Sequence, residues 1–213
     1  MNVSVNDTFV SRQGTGVLAG QLQFFVRLQG CSVKCPIRHL CDEPSSLDAE
    51  SDIASLMPIS DIVSLAVESV GKGGWIHITG GEPLDNLSAW KELVWLSMRN
   101  GLRVHTQTSG MVPHGEPIGR MGKLTVSPKG PVGSLKVRSG SELILVAAPW
   151  MNVDLAKKFM EETSFEHYYI CPLHRGGLDW DHQSAYDLIG ELNDAGQRGW
   201  LLGHQIHKLY GVK

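Results

Sequence analysis

The chain has 213 residues, 42% hydrophobic and 19% charged, with a net charge of −3; this is ordinary globular composition and predicts one folded domain over residues 1–213 with a sizeable core. The absence of basic runs removes any electrostatic reason to bind nucleic acid or an anionic membrane directly, so a small-molecule substrate is expected. Met1–Gln13 lacks the basic start and apolar core of a secretory leader, and the longest apolar runs, such as LILVAAP (143–149), fall short of the roughly 18 residues a membrane span needs, so a cytoplasmic protein is expected. In chain order, apolar periodicity predicts a strand at FFVRL (24–28), a helix over 60–70 that stops at Gly71, a strand at WIHIT (75–79) and a helix over 87–99 that stops at Gly101. Strands follow at RVHTQ (103–107), KLTVS (123–127) and ELILV (142–146), then a helix over 152–162, a strand at HYYIC (167–171), a helix over 182–195 and a strand at GWLLGHQIH (199–207). Strand and helix in alternation predict an α/β fold of mostly parallel strands, in which sites gather at the strands' carboxyl ends. RLQGCSVKC, HITGGEP, HTQTSG, TVSPKG and YYICPLH each leave an apolar strand for a polar or glycine-rich loop, so they are expected on one rim.

Three of the four cysteines, Cys31, Cys35 and Cys41, stand on the first of those loops, and the fourth, Cys171, lies far along the chain. An odd cluster of three does not suit a disulfide framework, which points to metal or redox chemistry. Three thiolates can hold zinc if His39 or Cys171 completes a tetrahedron, although the gaps of three and five residues lack the paired short spacing of structural zinc sites. They can equally hold three irons of a four-iron four-sulfur (4Fe-4S) cluster and leave the fourth iron open. Unliganded core cysteines are the third possibility, because free cysteine is among the most buried residue types.

Gly80, Gly81 and Glu82 follow the WIHIT strand, two residues without side chains next to a carboxylate. A cysteine loop after the first strand and a GGE segment after the second together resemble the radical S-adenosylmethionine (SAM) superfamily. Within it the chain resembles the 7-carboxy-7-deazaguanine synthase family through SRQGTG (11–16), FVRLQGC (25–31), ITGGEP (78–83), QTSG (107–110), VSPK (126–129), CPL (171–173) and the ending HQIHKLYGVK (204–213). Each piece is short, but their order and spacing run nearly end to end.

The resemblance implies an incomplete parallel (β/α) barrel, usually a homodimer, that uses a 4Fe-4S cluster, SAM and Mg²⁺. A flavodoxin- or ferredoxin-like electron donor would reduce the cluster, SAM would be cleaved, and the 5′-deoxyadenosyl radical would take a hydrogen from 6-carboxy-5,6,7,8-tetrahydropterin before ring contraction and loss of ammonia. Carried over residue by residue, it makes Cys31, Cys35 and Cys41 the cluster ligands. Leu40, Asp42, Gly80, Gly81, Glu82, Ser127, Pro128, Lys129, Cys171, Pro172, Leu173 and His174 would hold SAM. Arg12, Gln13, Gly14, Arg27, Thr79 and Lys213 would hold the pterin, and the planar guanidinium of Arg27 suits a substrate carboxylate.

The chain departs from the family pattern at several positions. The last cysteine gap holds PIRHL (36–40) rather than two residues, which is tolerable because closure entropy grows only with the logarithm of loop length. Leu40 replaces an aromatic, Thr15 and Gln107 replace glutamates, and Cys171 replaces a glutamine. Glu43 stands where the family has a threonine or serine hydroxyl on Mg²⁺, and a carboxylate is also a suitable oxygen donor for that ion. Two other readings compete: a glycyl-radical-type activating enzyme, which the HQIHKLYGVK ending argues against, and a catalytically altered module that keeps a metal or cluster without turnover.

Overall fold

The computed structural model describes residues 1–113, 121–176 and 179–211. In chain order its elements are β1 (Asn2–Arg12), β2 (Leu22–Leu28), β3 (Ser55–Pro58), α1 (Ile59–Val70), β4 (Trp75–Gly80), α2 (Leu87–Arg99), β5 (Arg103–Thr108), β6 (Lys123–Val126) and β7 (Ser139–Ala147). They continue as α3 (Val153–Glu162), β8 (Ser164–Gly176), β9 (Asp179–Asp181), α4 (His182–Asp194), β10 (Trp200–Leu202) and α5 (Ile206–Leu209). The strands form one sheet in the order β10-β8-β7-β6-β5-β4-β2-β1-β3, with β9 paired to β8. From β2 to β10 along this order every pairing is parallel, and β1 runs antiparallel to both β2 and β3. The end strands β10 and β3 do not pair with each other, so the (β/α) barrel is incomplete. No helix among the described residues is long and apolar enough to cross a membrane.

Each helix starts and stops where its local chemistry dictates. α1 buries Ile59, Ile62, Val63 and Ala66, spaced to fall on one face, and ends at Gly71 with φ +72°. A 12-residue helix is marginal in water alone, whereas each buried Ile or Val side chain contributes about 1.5–3 kcal/mol, so packing rather than propensity holds it. The predicted helix over 152–162 begins one residue later because Asn152 is its cap and accepts the Leu155 N–H at 2.9 Å. No α-helix stands between β5 and β7 among the described residues; SGMVP (109–113) and PKGPVGS (128–134) carry too much glycine and proline to sustain one.

The strands alternate strictly between two environments. Val26, Ile76, Ile78, Val104, Leu124 and Leu143 join Ile62, Trp90, Leu93 and Phe159 in one apolar core. Their neighbours in sequence face the barrel interior, where Phe9, Phe25, His77 and His105 stack across four strands with centroids 4.9, 4.6 and 4.1 Å apart. His105 Nε2 lies 2.8 Å from Thr125 Oγ1, and Thr125 donates its hydroxyl to Glu142 at 2.5 Å. Because Thr125 gives its only proton to Glu142, it receives one from His105 Nε2, and His105 Nδ1 lies 3.2 Å from the side-chain amide of Gln23. Glu142 also accepts the Val17 N–H at 2.7 Å, and burial raises its pKa. The interior below the rim is therefore polar, with a hydrogen-bonded row running from His105 through Thr125 and Glu142 to the Val17 N–H.

Burial lowers the pKa of His77 well below its ordinary value, with His105 adding to the effect, and burial alone lowers that of His105 to about 3. Both rings are neutral in the native state near neutral pH. An unfolded imidazole takes its proton near pH 6.5, so acid is taken up by the unfolded chain first and stability is lost as pH falls below that value. Between pH 7 and pH 5 each ring removes about 2 kcal/mol, together about 4 kcal/mol. Urea unfolding at the two pH values is expected to show a loss about 2 kcal/mol smaller in His77→Phe than in the unsubstituted protein; an equal loss in the two would refute the assignment.

Candidate active site

The cysteine loop is fastened to the rim at its root. β2 ends at Leu28, and Gly30, at φ +96°, donates to the Ser46 carbonyl and accepts the Glu82 N–H, both at 2.9 Å. Gly81 sits so close to this junction that a Cβ there would lie 1.9 Å from the Gly30 oxygen, and one on Gly80 would lie 2.2 Å from the Leu28 nitrogen. The double glycine is thus required first for backbone to meet backbone between the cysteine loop and the β4 turn. Glu82 secures the same turn from the other side. Its buried carboxylate accepts from Leu84 N at 3.1 Å, Thr108 Oγ1 at 2.6 Å, Ser109 N at 2.9 Å and Ser109 Oγ at 2.5 Å.

Above this clasp lies a cavity of about 240 Å³. Sixteen of the residues singled out from the sequence line it: Cys31, Cys35, Leu40, Cys41, Asp42 and Glu43 from the loop, Thr79, Gly80, Gly81 and Glu82 from the end of β4, Ser127 and Lys129 beyond β6, and Cys171, Pro172, Leu173 and His174 from β8. Val33, Leu47, Ile144 and Val146 give it apolar walls.

Cys31, Cys35 and Cys41 are unbridged and partly exposed. Burial raises the Cys31 and Cys41 thiols above their ordinary pKa, so a cationic partner is needed to hold them as thiolates. Among the described residues no three His, Cys, Asp or Glu side chains gather closely enough to hold a single metal ion. A tetrahedral zinc draws its sulfur ligands to about 2.3 Å from one centre. Three thiols on one loop that line a common cavity are a donor set suited to a cluster, each sulfur to its own iron. His39 is exposed, outside the cavity. Cys171 is buried, with its thiol pushed up to about 12 mainly by burial, and its Sγ occupies the space beside Gly203, where a Cβ would lie 2.3 Å away. It packs as a small hydrophobe.

The expected substrate residues are less gathered. Thr79 lines the cavity; Arg12, Gln13, Gly14 and Arg27 do not, and Lys213 lies outside the described residues, while of the residues expected to hold SAM only Pro128 is not on the cavity wall. Arg12 donates to the Gly20 carbonyl at 2.8 Å, and buried Gln13 donates to Thr15 Oγ1 at 3.2 Å. Gly14 accepts the Ile206 N–H at 2.9 Å and has no room for a Cβ, which would lie 1.7 Å from His207 Nδ1. Arg27 stacks on Phe9, 4.7 Å from the ring centre, and pairs with Glu43 at 2.5 Å.

Three contributors had no assigned role in the sequence. Arg38, within the inserted PIRHL, reaches the carbonyls of Cys31, Val33 and Leu47 at 3.4 Å each and so braces the lengthened loop. α5 carries Gln205 and Lys208 to the cavity, where Lys208 bonds the Asp42 carboxylate and lies 3.1 Å from His174 Nδ1. The ending HQIHKLYGVK (204–213) was the signal for this second group. Thr108 and Ser109 of QTSG complete it by holding Glu82.

No family model matches the chain. It is 35% identical to 7-carboxy-7-deazaguanine synthase of Synechocystis sp. over 125 residues, 59% of this chain and 54% of that one. Over such matched segments the chain spans about half the length of the first curated relatives, at 54%, 52% and 44%. The alignment with 7-carboxy-7-deazaguanine synthase of Prochlorococcus marinus is 30% identical over 228 positions and takes in 97% of this chain and 96% of that one. The fold is similar to the crystal structure of QueE from Escherichia coli, with a TM-score of 0.70 at 21% identity over 95% of this chain and 93% of that one. With the incomplete barrel, the cysteine-lined cavity and a relative matched along nearly its whole length, the chain belongs to the 7-carboxy-7-deazaguanine synthase family.

Proposed function

We propose that the protein is a single-domain radical SAM enzyme that converts 6-carboxy-5,6,7,8-tetrahydropterin to 7-carboxy-7-deazaguanine with loss of ammonia. The observation that carries this reading is the meeting of Cys31, Cys35 and Cys41 with the Gly80-Gly81-Glu82 turn around one cavity in a chain of this family. The three thiols hold a 4Fe-4S cluster. When bound, a cluster held by Cys31, Cys35 and Cys41 would supply the electron for reductive cleavage of SAM, the chemistry that would activate the pterin.

The chain's own residues position and shield these partners. Lys129, steadied by Ser127 Oγ at 2.9 Å, presents an ammonium to the SAM carboxylate. Leu40 and Leu173 would offer apolar surface to the adenine, and Lys208 holds Asp42 and His174 on the same cavity wall. Val33, Ile144 and Val146 keep water from the reacting centre. Glu43 would offer Mg²⁺ an oxygen donor, and Thr79 on the cavity wall and Arg27 behind Glu43 would serve the pterin and its carboxylate. The protein works in the reducing cytoplasm as a homodimer served by a flavodoxin- or ferredoxin-like donor, which suits a site of free thiols.

Protein reconstituted anaerobically with iron and sulfide, then given SAM, reductant and the carboxytetrahydropterin, is expected to yield 7-carboxy-7-deazaguanine and 5′-deoxyadenosine by mass spectrometry. SAM cleavage with the pterin left intact would overturn the substrate assignment.

A further inference from the structure

The two ends of the sheet do not pair, yet the chain joins them at the rim. α5 follows β10 at one end, and its Ile206 N–H donates to the Gly14 carbonyl, in the connection between β1 and β2 near the other end, at 2.9 Å. Lys208, two residues on, reaches further round. An ammonium has three donors and no acceptor, and that of Lys208 has three partners on two other segments. It donates to the Asp42 carboxylate, next to Cys41 on the cysteine loop, and to His174 Nδ1 at 3.1 Å. It also lies 5.8 Å from the centre of the Trp180 ring, within reach of a cation–π contact. His174 and Trp180 stand opposite each other across the β8–β9 pairing, with ring centres 4.5 Å apart, so they act as one unit. A single exposed ion pair contributes little. The Lys208 side chain is only 15% exposed, however, and its three contacts form a network.

The cysteine loop depends on such ties, because residues 29–54 hold no strand and no α-helix. Its root is fastened at Gly30 and at Ser32, whose N–H donates to Asp85 at 2.7 Å. Beyond Cys41, Glu43 is tied to Arg27 on β2, and Asp42 is tied through Lys208 to β8 and β9. We propose that Lys208 is a positioning residue that closes the rim: its charge holds the Cys41 end of the loop against β8 and β9, so that loop, strands and C-terminal helix are ordered together. The bearing of this lock on a bound cluster rests on the cluster reading above; the coupling of the three segments does not. Such coupling is reciprocal, so cutting the tie at Asp42 also loosens α5.

Hydrogen–deuterium exchange of the full chain without a cluster, read by mass spectrometry, tests the coupling. Lys208→Met keeps an unbranched stem and removes the charge. It is expected to speed exchange about tenfold over 36–47 and 172–176, and Asp42→Ala to do the same over 203–211, while β4 and β5 exchange as in the unsubstituted protein. Lys208→Arg, which keeps the charge, is expected to restore slow exchange. Unchanged exchange over 36–47 in Lys208→Met, or over 203–211 in Asp42→Ala, overturns the proposal. So does a rise shared by β4 and β5, which is loosening of the whole fold, or a Lys208→Arg protein that behaves like Lys208→Met, which leaves only the packing of the stem. After anaerobic reconstitution, Lys208→Met is expected to start with the same iron content and to lose iron to a chelator about tenfold faster. Iron loss at the unsubstituted rate, with the exchange pattern as expected, overturns the part that concerns the cluster. If no form takes up four irons, the cluster reading fails while the lock stands.

Discussion

Alanine in place of Cys31, Cys35 or Cys41, one at a time, is expected to leave a folded protein that retains no stable four-iron cluster and has lost SAM cleavage. The three thiols are partly exposed and line a cavity, so truncating one removes little packing and the melting temperature of the cluster-free chain is expected to stay close to that of the unsubstituted protein. A cluster held by two cysteines has lost a direct ligand, and the effect is expected to exceed the roughly 10–100-fold loss that follows removal of an outer-shell partner. Cys171→Ala is the internal control. Its thiol is buried beside Gly203 and held protonated, so the variant is expected to bind the cluster normally. Iron and sulfide analysis after anaerobic reconstitution, with 5′-deoxyadenosine release as the second readout, checks all four; a cluster lost from Cys171→Ala but kept by any of the other three would reverse the ligand assignment.

Glu82→Ala is expected to be the most destabilising single change at the rim. The carboxylate gathers four donors from two segments, Leu84 N, Thr108 Oγ1, Ser109 N and Ser109 Oγ, in a buried setting. Removing it strands donors at about 1–3 kcal/mol apiece, and because the two hydroxyls can turn toward other acceptors the net loss is expected to be about 3–5 kcal/mol. In a chain of this size that lowers the melting temperature by about 10 °C. Glu82→Gln keeps one acceptor oxygen and is expected to lose roughly half as much. The damage extends to the cysteine loop, whose root at Gly30 is bonded to the Glu82 N–H, so cluster retention should fall together with stability. Calorimetry placing Glu82→Ala within about 1 kcal/mol of the unsubstituted protein would contradict this account.

The parallel strands were legible because a strand buried on both faces is a short run of β-branched and apolar residues, as in WIHIT and ELILV. β1 was not, although it spans Asn2–Arg12. It runs antiparallel between β2 and β3, and mixes buried Val3 and Val5 with polar, partly exposed residues that break the apolar signal. GWLLGHQIH was read as one strand, but β10 ends at Leu202. Gly203 packs against the Cys171 sulfur there, and the chain then turns into α5. The end of α1 was accurate where Gly71 fixed it, whereas Asn152 was read as the first helical residue and is the cap before it.

At the rim, the convergence of the cysteine, GGE, SPK and CPLH loops followed from topology, since parallel strands deliver their carboxyl ends to one side. What the sequence concealed was which charges pair across it. Glu82 was expected to serve a ligand directly, yet its oxygens are engaged by Thr108 and Ser109. Arg27 was expected to present a free fork, yet it meets Glu43. Lys208 lies 166 residues from the Asp42 it bonds. Such partners depend on loop paths between elements, which carry no hydrophobic period to read.

Mössbauer spectroscopy of ⁵⁷Fe-reconstituted protein, with and without SAM, goes directly to the proposal that three cysteines hold a cubane with one iron left for the cosubstrate. The prediction is a 4Fe-4S spectrum in which one of four irons is distinct and shifts when SAM is added. A spectrum indifferent to SAM, or iron present in no cubane at all, would contradict it.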